Sequence, residues 1–336
     1  MSVLYATVLV VATFIWGYMF YKKDYHPQPF KVIAQIFGIG LFAMIPVFAY
    51  KYIYQNYLPM LAEYQIFRPL LDSSILSGLF YFLINLILLS VVLFTLSGFL
   101  SLIATIFKHE TIKNIRRAIK DEELSFVTIS VMIGILIYLE SLAEKILGIT
   151  IIQTIIGTIL FLTIIEEYIK HLMVRFVDDK KLKDIDDAIT LSIMVGLAFA
   201  LMETLIYAIS SGDLSLIVYR AFLSIPIHLV ASGIFGYYYG LAHFAKPLTK
   251  KTVGEKTYRF NIKWLHKILT LKRSTVYDEE KMVEGLGLAV LFHATCNILF
   301  ELNLAFLVVP IIVIGLMLIT YFYKESHVLY KLLRAH

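Results

Sequence analysis

Apolar runs of about 20 residues recur along the whole chain, at roughly 3–20, 31–52, 76–106, 126–147, 149–170, 188–209, 215–245, 283–300 and 304–323. Runs of that length match the hydrocarbon thickness of a bilayer, and a soluble core does not call for nine of them. Composition agrees: of 336 residues 59% are hydrophobic and 16% charged, whereas soluble domains carry about a quarter charged residues. The expected fold class is therefore all-α, a polytopic transmembrane helix bundle of about nine spans. The third and seventh runs are long enough to imply tilt or protrusion into the interface. No basic residue precedes the first run and no small-residue cleavage site follows it, so it reads as an uncleaved span. Three regions follow from this pattern: N-terminal spans over 1–148, a core over 149–323 with a polar loop at 246–282, and a tail over 324–336.

Charge placement tests the span count independently. Lys and Arg concentrate in 22–31, 107–125, 170–187, 246–282 and 324–336, which together hold 26 of the 30 basic residues. These are alternate connections of a nine-span chain, and the other side keeps only Lys51, Arg68, Lys145 and Arg220. Positive-inside bias then puts the N-terminus outside and the C-terminus in the cytoplasm of a multi-pass protein of the cell membrane. In the 246–282 loop, Ile262, Leu265, Ile268 and Leu269 around Trp264 are spaced as a short amphipathic helix with basic flanks. That stretch is expected to lie on the cytoplasmic leaflet. Nothing in it resembles a nucleic-acid-binding module.

Ionisable residues inside apolar runs carry the functional signal. They are Glu166 and Glu167 in the fifth run, Glu203 in the sixth, His228 in the seventh and His293 in the eighth. A charge at mid-bilayer costs about 2.5–3.5 kcal/mol on insertion scales, so five bystanders are disfavoured unless they face one another or water. Plainer roles exist for each. Glu166 and Glu167 can cap a helix end by pairing with Lys170 and His171. Glu203 can be neutralised by Arg220 in a structural ion pair, and either histidine can be a packed residue bonded to a carbonyl. Glu140 and Glu144, one turn apart, read as an interfacial face. The single cysteine, Cys296, excludes an internal disulfide and reads as a packed residue rather than an activated thiolate.

In order along the chain, these residues form a pattern: Glu166-Glu167-x-x-Lys170, Phe199-x-x-x-Glu203, His228-x-x-x-Ser232 running into Gly236 and Gly240, and His293-x-x-x-Asn297. The pattern resembles the PrsW family of membrane proteases, within the superfamily of type II CAAX prenyl proteases and bacteriocin-immunity proteins. The motifs lie between about 150 and 300. Thr204 departs from the asparagine expected after the second motif, and Glu203 stands where prenyl-protease relatives usually carry histidine. The resemblance implies hydrolysis of a peptide bond of a membrane-anchored protein. In PrsW itself the implied substrate is an anti-sigma factor.

Peptide hydrolysis needs an activated water and donors for the tetrahedral oxyanion. By the resemblance, Glu166 is expected to be the base, Glu167 a supporting group, Glu203 a second holder of the water and His228 an orienting group. His293 and Asn297, at i and i+4 on one helix face, would be the oxyanion donors. This reading needs no cofactor. A zinc enzyme using Glu166, His228 and His293 is the alternative, although no HExxH motif occurs. A transporter or scaffold using the same groups is a further one. Counted from the expected outer ends, Glu203, His293, His228 and Glu166 lie at depths that differ by about 15 Å at 1.5 Å per residue, which opposes a single site if the helices are straight.

Overall fold

The computed structural model of the chain describes residues 3–49, 51–52, 155–175, 182–211, 214–244 and 273–334. All secondary structure among them is helical: α1 (Val3–Tyr21), α2 (Phe30–Phe42), α3 (Ile155–Arg175), α4 (Ile185–Ser211), α5 (Leu214–Tyr219), a π-helical turn (Arg220–Ser224), α6 (Ile225–Phe244), α7 (Arg273–Glu301) and α8 (Ala305–Arg334). Five described segments are long and apolar enough to cross a bilayer: Phe30–Ala49, Ile185–Ile209, Ile217–Phe244, Glu280–Glu301 and Ala305–Lys331. They match the second, sixth, seventh, eighth and ninth expected spans. The first expected span coincides with a shorter apolar helix, Ala6–Tyr21. At the fifth, α3 carries Glu166, Glu167, Lys170, His171 and Arg175. The spans at 76–106 and 126–147, Glu140, Glu144 and the Trp264 stretch lie outside the described residues.

Two boundaries differ from expectation. Helix α7 begins at Arg273, not near 283, and α8 continues to Arg334, past 323. Apolar character marks where hydrocarbon ends, whereas a helix stops where its backbone is broken. Residues 273–284 contain neither Pro nor Gly. Lys281 Nζ pairs with Glu284 Oε2 at 2.6 Å within that stretch. The last part of the expected 246–282 loop and most of the expected tail are therefore helical.

By internal contacts the chain parts into two compact units, Met44–Glu166, and Met1–Ala43 together with Glu167–His336. In the latter unit α4 is central, with α1, α2 and α6 packed on it and α7 packed on α6. The N-terminus of α4 is tied by its own aspartates. Asp184 Oδ1 accepts the Asp187 N–H at 2.9 Å, as an N-cap does. The α1–α2 connection docks there through Gln28 Nε2 to Asp187 Oδ2 (2.7 Å) and through Thr190 Oγ1 donating to Asp24 Oδ2 (2.9 Å). Burial pushes the Asp24 carboxyl above its ordinary range, against the hydrogen bonds it accepts from the His26 N–H and Thr190.

Glycines set the register of α4 against α6. A Cβ on Gly240 would meet Ile185 Cγ2 at 2.8 Å, and one on Gly236 would meet the Ala188 carbonyl at 2.7 Å. One on Gly196 would lie 2.3 Å from Ser232 Oγ and 2.8 Å from the His228 carbonyl. As α4 ascends from 185 to 196, the facing residue on α6 descends from 240 towards 228, so the pair is antiparallel. Backbones approach this closely in membranes where small residues leave room. Continued upward, the same register carries Glu203 into the range of Arg220 and His228.

The π turn before α6 has a cause in the sequence. Ile225 N–H donates to the Arg220 carbonyl, one residue further back than in an α-helix. Pro226 follows, and a proline inside a helix has no N–H to give and crowds the carbonyl four residues before it, which widens the preceding turn. Arg220, a lone basic residue in this run, stands at the start of that widened turn.

Candidate active site

Four helices and the π turn bring six polar groups together. Helix α3 supplies Glu167 and Lys170, one turn apart. Helix α4 supplies Glu203, α6 supplies His228, α7 supplies His293, and the π turn supplies Arg220. Glu167, Lys170, His228, His293 and Glu203 are all buried. Glu167 Oε1 takes the Lys170 ammonium and also lies 2.6 Å from His293 Nδ1. The same ammonium is 3.1 Å from His228 Nδ1. On the other side of that ring, His228 Nε2 is 3.0 Å from Glu203 Oε2, which also takes Arg220 Nη2 at 2.7 Å. The two imidazoles meet edge to face, with centroids 4.5 Å apart. Phe199 closes one wall, 5.0 Å from the ammonium and 5.4 Å from the His228 ring.

These contacts assign the protons. A lysine ammonium only donates, so His228 Nδ1 accepts from it and presents its lone pair towards Glu167 and Lys170. The His228 proton is then on Nε2, donated to Glu203. His293 Nδ1 donates to the Glu167 carboxylate. Each carboxylate thus joins one cation to one imidazole: Glu167 joins Lys170 to His293, and Glu203 joins Arg220 to His228. Two negative charges meet two positive ones, the buried Lys170 and the half-buried Arg220, which offsets the cost of burying the carboxylates.

Of the residues singled out from the sequence, Glu167, Glu203, His228 and His293 fall within this cluster. The Glu203–Arg220 ion pair also forms, so a structural role and membership of the site coexist. Glu166 is buried too, but its Oε1 pairs with Lys51 Nζ at 2.6 Å. Asn297 is half-buried, one turn beyond His293 on α7. Lys170 was legible as part of the first motif, yet nothing in the spacing alone shows that it bridges two helices. The expected 15 Å spread in depth does not prevent convergence, because the glycine register and the π turn set the offsets and long side chains close what remains. Cys296 is fully buried among Ile227, Val308 and Ile312, in keeping with a packed residue.

Glu167, His228 and His293 each offer one ligand atom, and these atoms all lie within 4.8 Å of one another. The donor set fits zinc. Two imidazoles and one carboxylate form a known catalytic ligand set. The Nε2–H of His228 is already held by a carboxylate, the usual outer support of a metal-bound histidine, and its Nδ1 lone pair is turned to the Lys170 ammonium that Glu167 also binds. The zinc alternative drawn from the sequence used Glu166, but the carboxylate in this group is that of Glu167.

Carboxylates and imidazoles buried together between apolar helices are the equipment of a membrane-embedded hydrolase. The family model described as PrsW family intramembrane metalloprotease matches residues 124–323, about three fifths of the chain. The chain belongs to the PrsW family and is a membrane-embedded peptidase. The match is wider than the motif-bearing region of about 150–300 and takes in the fourth expected span. No curated protein and no solved structure matches the chain.

Proposed function

We propose that this peptidase cleaves a membrane-anchored protein of the cell membrane at the Glu167–His228–His293 cluster, and that these three residues hold a divalent ion, with zinc the best match. The observation that carries the reading is one buried carboxylate and two buried imidazoles, from three helices, with ligand atoms within 4.8 Å of one another. A zinc ion held there supplies an acidified water and a Lewis acid for the scissile carbonyl. The chain's own groups do the rest. Glu203 keeps the His228 proton on Nε2 and leaves Nδ1 as a ligand, and Arg220 holds Glu203 in place. Asn297, one turn from His293, is suited to donate to the oxyanion. Glu166 stays outside the ligand set.

The Lys170–Glu167 ion pair favours a second reading without a metal, in which Glu167 itself is the base for water. Metal content decides between the two. The metal reading expects about one zinc per chain in purified protein, loss of zinc in Glu167→Gln and His293→Ala, and loss of reporter cleavage on chelation with recovery on adding zinc back. Full activity in chelated, zinc-free protein would sink the metal reading and leave Glu167 as the base.

We further assign nine spans with the N-terminus outside and residues 246–282 in the cytoplasm, on the alternation of basic loops. Cysteines introduced between 246 and 272 should resist a membrane-impermeant reagent added outside intact cells. Labelling of that loop from outside would overturn the orientation.

A further inference from the structure

Lys170 is an unusual neighbour for three potential metal ligands. Its ammonium is bonded to Glu167 Oε1 and lies 3.1 Å from His228 Nδ1, and both of these are atoms that a metal ion in this cluster would need. Lys170 is buried, and its ammonium sits 5.0 Å from the Phe199 ring, so the position is built rather than incidental. An ammonium is a compact point charge on a flexible stem, and it can give up two acceptors and move. It cannot share them with a divalent ion, because the lone pair of His228 Nδ1 serves one cation at a time and two like charges on one carboxylate oxygen repel.

We propose that Lys170 is the place-holder of the metal site: its ammonium and the metal ion occupy Glu167 Oε1 and His228 Nδ1 in turn. The inference rests on the metal reading above and deepens it. Without a metal, the lysine balances the Glu167 charge and keeps the helices carrying Glu167 and His228 together. On loading, the ion must displace it. The site therefore selects for ions that bind imidazole and carboxylate tightly, and rejects hard, weakly held ions such as magnesium, which carboxylate and water suit better.

The test is zinc titration by calorimetry, with thermal unfolding alongside, on chelator-stripped full-length protein in detergent. Lys170→Leu, which can pack on Phe199, should bind zinc about 10- to 100-fold more tightly than the wild type, the scale on which groups adjoining metal ligands act. Stripped Lys170→Leu should also unfold at a lower temperature than stripped wild type and gain more from added zinc. Lys170→Arg keeps a cation in place and should not tighten binding. If Lys170→Leu does not fold, Lys170→Gln replaces it in the same titration. Equal zinc affinity in the wild type and the neutral variant would overturn the place-holder role while leaving the metal reading intact. Zinc binding by neither protein would overturn both.

Discussion

Glu167→Gln is expected to abolish cleavage of a membrane-anchored reporter, by about 10²–10⁴-fold if the carboxylate is the base and at least as much if it is a ligand whose loss empties the site. The substitution keeps shape and one acceptor oxygen but removes the charge that Lys170 and His293 both address. Stability suffers as well, because removing one partner of a buried ion pair costs about 3–5 kcal/mol. Thermal unfolding must therefore be followed on the same samples, and activity expressed per folded molecule. Glu166→Gln is the paired experiment. It removes the charge that pairs with Lys51 Nζ but is not one of the three clustered ligand residues, and it should keep most of its turnover. That order reverses the one expected from the family pattern, where Glu166 was the base and Glu167 the supporting group. A folded, active Glu167→Gln protein beside a folded, dead Glu166→Gln protein would restore the first order and remove Glu167 from the centre of the reaction.

The reason adjacent glutamates could not be ranked from the sequence is geometric. Neighbouring helical residues point about 100° apart, and Lys170 lies one turn beyond both, at i+4 from Glu166 and i+3 from Glu167, so no periodicity says which of them faces inward. What decides it is the position of His293 and Lys170, and that depends on how four helices are assembled. The all-helical membrane class was far more legible, because hydrocarbon thickness leaves its mark on single segments. The cluster's members were legible for a similar reason: an ionisable group in an apolar run is costly, so it stands out. Their convergence was not, since it rests on offsets between helices. The glycines at 196, 236 and 240 do carry that information, but only once it is known which backbone each one meets. Asp184 and Asp187 also went unread, although an aspartate three residues before another, at the head of an apolar run, is a capping signal.

Gly196→Ala is the second large effect expected, and it tests whether the approach of α4 to α6 is what assembles the site. The added methyl would lie 2.3 Å from Ser232 Oγ, 2.7 Å from Ser232 Cβ and 2.8 Å from the His228 carbonyl oxygen. The serine hydroxyl can rotate away. The carbonyl cannot, because it belongs to the backbone of α6 at the very residue whose ring joins Glu203 to Lys170. The helices must separate at His228, and overpacking of this kind costs about 1–3 kcal/mol. Replacing glycine in a helix returns at most about 1 kcal/mol of propensity, so a net loss of stability remains. Activity should fall further than stability, by about 10²-fold, since an ångström of misplacement has that scale of effect on an aligned site. Gly287→Ala is the matched control: no atom among the described residues lies within 4 Å of its added methyl, and it should be neutral or slightly stabilising with unchanged cleavage. Equal activity in the wild type and Gly196→Ala would mean that His228 does not depend on this contact for its position. A selective loss in Gly196→Ala, with Gly287→Ala intact, would mean that a residue with no side chain sets the distance between His228 and Glu203.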